Sequence, residues 1–226
     1  MPDTNTAAQA FFNPASAFGT LTGWEIQTVN PTTSRQRAQA LGAYGDEIAS
    51  QTYDPRTTAS ATYVATADTA TVPKAGQILN GYHIDSVTVN FSNTAFVTMT
   101  LQGHKHGSAS HPAGRTYTGS LSTIGTKFGC PAAPLGFTIP TGAGVRSYTY
   151  TLTTNHVDEL GSQGNYLASD NYDGTEQAEI ELCDTGDITA ASGWDLVSDG
   201  HTRGNTQAET STATAERHIA HDTSNS

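Results

Sequence analysis

Three histidines within eight residues are the best candidate for a chemical site in this chain. They are His104, His106 and His111, in the stretch HKHGSASH. If His104 and His106 lie on a β-strand, their imidazoles share one face and could chelate Zn²⁺ or a similar ion. His111 lies in a Gly/Ser-rich segment that would not hold a third ligand rigidly. Exposed loop histidines are therefore the default interpretation, and we predict no metal site.

A second candidate is the segment Asp170 to Glu176, DNYDGTE, whose oxygen atoms could surround a Ca²⁺ ion. The full ligand spacing of an EF-hand is missing. Because Asn, Asp and Gly are also the residues that a tight turn requires, the sequence favours a turn here.

No motif for an enzyme active site accompanies these residues. The chain has no Gly-x-Ser-x-Gly elbow, no Walker loop and no Cys-x-x-Cys pair. Trp24 and Trp194 could form a sugar-stacking platform, but large aromatic residues more often pack in a core or an interface. We therefore predict a protein that is not an enzyme, with no catalytic, cofactor-binding or metal-binding residues.

The acidic residues are concentrated in one part of the chain. The net charge is −11, and the segment Ser147 to Thr202 holds eleven Asp and Glu but no Lys or Arg. A nucleic-acid-binding surface needs basic residues that neutralise phosphates. We therefore expect no direct or sequence-specific binding of nucleic acid; an acidic solvated face and a surface that repels DNA both fit.

Composition favours one β domain that is stabilised by neighbouring subunits. Only 35% of the 226 residues are hydrophobic, so core-forming side chains are few, and obligate oligomers compensate for this by burying surface between chains. Two distant cysteines, Cys130 and Cys183, form no disulfide framework. The start of the chain has no signal-peptide pattern, and no apolar run is long enough to span a membrane, so we expect synthesis in the cytoplasm.

The stretch Gly81 to His106 predicts a β-hairpin that occurs in three related forms. Two strands flank a polar turn at Ser92-Asn93-Thr94, and the pattern of Gly, aromatic, polar and aliphatic residues recurs from Gly23 and from Gly193. The alternative is chance similarity between hairpins. By this repeat Arg35 to Tyr44 is a strand, although its composition is helix-like.

Other strands follow from alternating apolar residues. We expect them at Trp24 to Asn30, ended by Pro31, and at Asp46 to Tyr53 and Thr57 to Thr66, separated by a turn at Asp54-Pro55. Val145 to Thr154 and Thr175 to Leu182 are also predicted strands, and His156 to Asp173 is expected to hold one helical turn and a loop.

The resulting fold class is mainly β: an antiparallel β-sandwich or barrel of hairpins with long loops. We predict an N-terminal arm at 1–20, whose Phe11, Phe12 and Phe18 could dock elsewhere, and a single β domain at 21–219. Within that domain, 103–144 is expected to be a long interface loop, and 220–226 is a polar tail.

The chain resembles structural proteins of tailed bacteriophages, in particular the major tail proteins that form the tail tube. The residues that carry the resemblance are GWEIQTVNPTTSRQRAQALGAYGDEIA, GYHIDSVTVNFSNTAFVTMTLQGH and GWDLVSDGHTRGNTQAETSTATA.

This resemblance implies a virion protein whose protomers close into rings, usually hexameric, that stack into a tube through which DNA passes. The partners would be further copies of the chain and other virion proteins, with no membrane, and assembly would take place in the host cytoplasm. Acidic side chains on the inner wall would repel phosphate. The alternatives are a capsid decoration or head-fibre protein and, in another class, a carbohydrate-binding β-sandwich.

Overall fold

The computed structural model describes residues 17–106, 114–162, 166–183, 187–202 and 209–222, and these fold into antiparallel β-strands joined by loops. The strands are β1 (Trp24–Leu41), β2 (Glu47–Ala65), β3 (Ile78–Leu79), β4 (Tyr82–Ser92), β5 (Thr98–His106), β6 (Phe137–Thr138), β7 (Gly144–Leu160), β8 (Tyr166–Cys183), β9 (Thr189–Ala190), β10 (Asp195–Thr202) and β11 (Thr210–Ile219).

One large sheet dominates the fold. Its strand order is β1-β2-β5-β4-β7-β8-β11-β10, with β3 paired to β4, while β6 and β9 form a separate small sheet. The prediction of a mainly β fold built from antiparallel hairpins with long loops is confirmed, but the large sheet does not close into a barrel. Strands β1 and β10 are its two edges.

The large sheet has one apolar face, because apolar and polar residues alternate along its central strands. The apolar positions are buried and include Val87, Val89, Phe91, Val97, Met99, Leu101, Tyr148, Tyr150, Leu152, Ala178, Ile180 and Leu182. The alternation of apolar residues that predicts these strands therefore reflects burial of one face of the sheet. Ala95 lies exposed in the turn after β4.

The opposite side is polar, and we call it the threonine face. Its side chains oppose one another across neighbouring strands and are half-buried or exposed: Thr62, Thr88, Asn90, Thr98, Thr100, Thr149, Thr151, Gln177 and Glu179. Hydrogen bonds such as Thr88 to Thr151, at 3.3 Å, join adjacent strands on this side.

Loops cover the apolar face and complete the core. Residues 114–143 pack there through buried Tyr117, Ile124 and Phe137. An isolated β-bridge joins Thr71 to Thr123. The described part of the predicted interface loop thus packs on its own sheet, and Gly103 to His106 belongs to β5. Phe18, from the predicted arm, is also buried, 5.2 Å from the ring of Tyr82; Phe11 and Phe12 lie outside the described residues.

The three copies of the repeat begin in the same way. Each starts at a glycine with positive φ, namely Gly23 (81°), Gly81 (83°) and Gly193 (81°). Each glycine precedes a buried aromatic residue, namely Trp24, Tyr82 and Trp194. Because glycine adopts this backbone conformation without strain, it sets the entry into three hairpins. The turn at Asn93-Thr94 is confirmed, whereas the corresponding turn near Asn205 lies outside the described residues.

The first hairpin is longer than the repeat predicts. Its strands continue past Ser34, and the turn lies at 42–46. Strand formation from Arg35 is confirmed, but the prediction that Pro31 ends a strand is wrong. Pro31 pairs with Ala59 inside β1, where an edge strand tolerates a residue that lacks an N–H group.

Two further predictions about turns are wrong. Pro55 lies within β2, opposite the register shift between Ser34 and Gln36 on β1. The pairing of β2 with β5 begins only at Arg56, so Pro55 interrupts no hydrogen bonds between these two strands. The region 156–173 holds no helical turn in its described part; β7 runs to Leu160 and β8 begins at Tyr166.

Two long hairpins continue past the strands beside them, since β2 pairs with β5 only from Arg56 onward and β7 pairs with β4 only up to Thr153. We call residues 32–55, at the end of the β1–β2 hairpin, the first extension, and residues 155–172, at the end of the β7–β8 hairpin, the second extension. Large apolar side chains are exposed on the first extension, where Tyr44 is 94% and Ile48 69% exposed. None of the described residues forms a helix with the length and hydropathy needed to cross a bilayer.

Candidate functional site

A cluster of histidine and aspartate side chains lies where the second extension meets strands β4 and β5. By alternation along β5, His104 and His106 lie on the same side as Thr98 and Thr100, at the end of the threonine face. Both imidazoles are buried. The interpretation of these two residues as exposed loop histidines is therefore wrong, because the second extension covers them. His111 lies outside the described residues.

Asp85 fixes the orientation of His104. The Nδ1 atom of His104 lies 2.7 Å from Oδ1 and 2.9 Å from Oδ2 of Asp85. Because a carboxylate only accepts hydrogen bonds, Nδ1 carries the proton, and in the neutral ring Nε2 has a lone pair. That Nε2 atom is buried and has no hydrogen-bond partner.

His104, His106 and Asp158 form a triad of potential metal ligands. One donor atom from each lies within 4.8 Å of the other two. His106 Nε2 and Asp158 Oδ2 are 3.2 Å apart. In a tetrahedral zinc site with bonds of about 2.0–2.1 Å, neighbouring ligand atoms are separated by roughly 3.3 Å, so the spacing of this pair already suits an ion.

His156 adds a fourth imidazole beside this triad. Its ring stacks on His104 with the centroids 4.0 Å apart, and its Nε2 lies 3.7 Å from Asp158 Oδ2. Arg56 Nη2 donates a hydrogen bond of 2.8 Å to the same Nε2. A second possible triad consists of Asp85, His104 and His156.

Within the cluster, the electrostatics favour the neutral form of His156 and the ionised form of Asp158. Burial lowers the pKa of His156, and the neighbouring His104 and Arg56 lower it further, against the opposite influence of the two carboxylates. Burial alone would raise the pKa of Asp158, but the nearby Ser169 hydroxyl and the histidines hold it below the ordinary value. Neutral imidazole and carboxylate are the forms that bind metal ions.

The Asp170 to Glu176 segment does not gather its oxygen atoms around a common point. Asp170 lies 3.6 Å from Arg115, Asp173 is 3.0 Å from His218, and Glu176 binds elsewhere in the core. The segment is part of β8, so the turn interpretation is wrong; only Asp173, with φ of 56°, departs from the strand conformation, beside a register shift.

Neither tryptophan is available as a sugar platform. Both rings are more than nine-tenths buried, Trp24 Nε1 donates to the carbonyl oxygen of Thr71 at 2.7 Å, and Trp194 lies beneath the guanidinium of Arg217. The packing interpretation is confirmed for both.

No protein-family model and no curated protein matches this sequence.

The sequence pointed to only part of the histidine cluster. The other members, Asp85, His156 and Asp158, have no local sequence signal, because they lie about 20 to 50 residues from His104 and His106 along the chain. Pairing of β4 with β5 and with β7 brings these five residues together. The register shifts in β4 and β7 that turn Asp85 and His156 inward have no clear signature in the sequence.

Proposed function

We propose that this chain is a non-enzymatic, self-assembling virion structural protein, and most specifically a tail tube subunit. The observation that carries the proposal is the open sheet with its two edge strands, β1 and β10. Apolar side chains are exposed on both extensions, among them Tyr44 and Ile48 on the first and Val157 and Leu167 on the second. Exposed edges of this kind readily pair with another chain. In a ring, the β1 edge of one protomer would pair with the β10 edge of the next.

The two edges carry some charges of opposite sign. Strand β10 carries Asp195 and Asp199. Strand β1 carries Glu25 near its start and Arg35 and Arg37 on the first extension, where Arg37 is paired with Glu47 of β2 at 2.6 Å. Leu196 and Val197 are exposed on β10, beside a register shift between Leu196 and Ser198. Pairing of the edges would cover these apolar side chains.

The threonine face is suited to the inner wall of such a tube. Its short hydroxyl side chains make a smooth polar surface, and the exposed Glu179 adds negative charge. The neighbouring Glu181 is paired with Arg146 at 2.9 Å. An acidic surface repels phosphate, so DNA would pass without binding. Of the eleven acidic residues between Ser147 and Thr202, Glu179 and Glu181 lie on this part of β8.

A capsid decoration or head-fibre protein is the alternative within the same class. It would form trimers or bind a preformed shell instead of forming stacked rings. The carbohydrate-binding alternative loses its main support, because Trp24 and Trp194 are both buried.

The test is to block one sheet edge without disturbing the core. Val197→Lys places a charge on β10, where the side chain is 59% exposed, and should leave the monomer folded while abolishing rings. Ala132→Lys, at an exposed position in the covering loops, is the matched control and should leave ring formation intact. Sedimentation velocity of both variants beside the wild type gives the answer; rings that survive Val197→Lys unchanged would contradict pairing through β10.

A further inference from the structure

We propose that His104, His106 and Asp158 bind a divalent transition-metal ion of the Zn²⁺ type, which fastens the second extension to the body of the sheet. This inference does not rest on the proposed assembly, since it concerns a site within one chain. Two imidazole nitrogens and one carboxylate oxygen are a donor set that Zn²⁺ accepts readily, and that Mg²⁺ and Ca²⁺, which prefer oxygen ligands, do not.

The buried Nε2 atom of His104 indicates where the ion would lie. This nitrogen is fully buried, lacks a hydrogen-bond partner and carries a lone pair, because Asp85 holds the proton on Nδ1. A buried polar atom without a partner is costly. Coordination of an ion by Nε2 would remove that cost.

The same reasoning chooses between the two possible triads. An ion bound by Asp85, His104 and His156 would displace the proton from Nδ1 of His104 and leave Nε2 without a partner. An ion between His104, His106 and Asp158 keeps the contact of 2.7 Å between Asp85 and His104. Asp85 then acts as the outer carboxylate that orients a metal-binding histidine, an arrangement common in zinc proteins.

Burial of the ligands points to a structural ion. His104 and His106 are almost completely buried, and the Asp158 side chain is only 18% exposed. Structural zinc sites are closed to solvent, whereas catalytic sites keep an open position for water or substrate. The ion would join β5 to β7 at the base of the second extension.

Substitution of Arg56 should change the affinity for Zn²⁺ in the opposite direction to substitution of a ligand. Its Nη1 atom lies 3.9 Å from Asp158 Oδ2, and its Nη2 donates to His156 Nε2, so its positive charge opposes a bound cation. Arg56→Gln should therefore tighten Zn²⁺ binding, whereas substitutions of the ligands weaken it.

The experiment uses the full chain, stripped with a chelator and titrated with Zn²⁺ by calorimetry, with Co²⁺ as the spectroscopic probe. We expect about one Zn²⁺ per chain, a rise in Tm on adding Zn²⁺ but not Mg²⁺, and intense visible absorption from Co²⁺ of low coordination number. Asp85→Asn should weaken binding about 10–100-fold, the usual effect of removing an outer-shell partner. His104→Gln and Asp158→Asn should each weaken it at least tenfold.

His218→Gln is the matched control, because this exposed histidine lies outside the cluster. The affinity of the His218→Gln variant for Zn²⁺ should equal that of the wild type. The proposal is overturned if the wild type binds no Zn²⁺, or if His104→Gln and Asp158→Asn bind it as tightly as the control does. Should His104→Gln fail to fold, the nearly isosteric Asp158→Asn variant and the Co²⁺ spectrum of the wild type still decide the matter.

Discussion

The carboxylate of Glu176 is completely buried, and the guanidinium of Arg217 donates to its Oε2 atom from the neighbouring strand β11. The hydroxyl of Tyr150 and the backbone N–H of Ser120 donate to Oε1, while the Ser120 hydroxyl is 3.1 Å from Oε2. This network joins β7, β8, β11 and the covering loops around one negative charge. Each partner is needed, because an uncompensated buried charge is strongly unfavourable.

Arg217→Met should destabilise the protein by about 3–5 kcal/mol, since it removes the only positive charge among these Glu176 partners and leaves a buried carboxylate uncompensated. Arg146→Met is the control: Arg146 forms a comparable ion pair with Glu181 at 2.9 Å, but both side chains are more than a third exposed. Exposed pairs contribute about 1 kcal/mol or less. Urea denaturation measures both changes, and equal losses would contradict the assignment of the Glu176 network to the core.

The three glycines that begin the repeats should respond differently to substitution by alanine. Gly81→Ala and Gly193→Ala place a side chain in open space, so each should cost only the backbone strain of a positive φ, about 1–2 kcal/mol. Gly23→Ala adds a clash, because the new Cβ would lie 2.6 Å from the Cα of Ala70. Thermal unfolding should therefore show the largest loss for Gly23→Ala; equal losses at all three positions would show that contact with Ala70 does not matter.

Alkaline pH should destabilise the protein through Tyr63. Burial raises the pKa of its hydroxyl from 10.0 to about 12. The unfolded state therefore releases this proton at lower pH than the folded state. The contribution of Tyr63 to the free energy of unfolding is complete below pH 10 and is lost as the pH rises toward 12. The loss amounts to up to about 2 kcal/mol. Urea denaturation measured from pH 9 to 11.5 follows this decline.

Tyr63→Phe separates this effect from general alkaline unfolding. The hydroxyl of Tyr63 is buried without a hydrogen-bond partner, so its removal should change stability at neutral pH by less than about 0.5 kcal/mol or increase it slightly. The variant should also lose less stability between pH 10 and 12. A large loss at neutral pH would mean that the hydroxyl makes a stabilising contact.

The strand core could be predicted from the sequence because its pattern is local. Alternation alone identifies the inward positions of Tyr148, Tyr150 and Leu152, and the Gly-aromatic pairs identify three hairpin starts. The lengths of the extensions could not be predicted, since Pro31 and Pro55 normally end strands and are accommodated here by an edge and a register shift. Only His104 and His106 of the histidine cluster could be predicted, because the cluster depends on the pairing of strands that are distant in sequence.

Electron microscopy of the purified full-length protein at high concentration, paired with sedimentation velocity over a concentration series, tests self-assembly most directly. We predict closed rings that stack into tubes, with the fraction of assembled protein rising with concentration. A monodisperse monomer at every concentration would contradict the proposed function, and discrete trimers without rings would favour the decoration or head-fibre alternative instead.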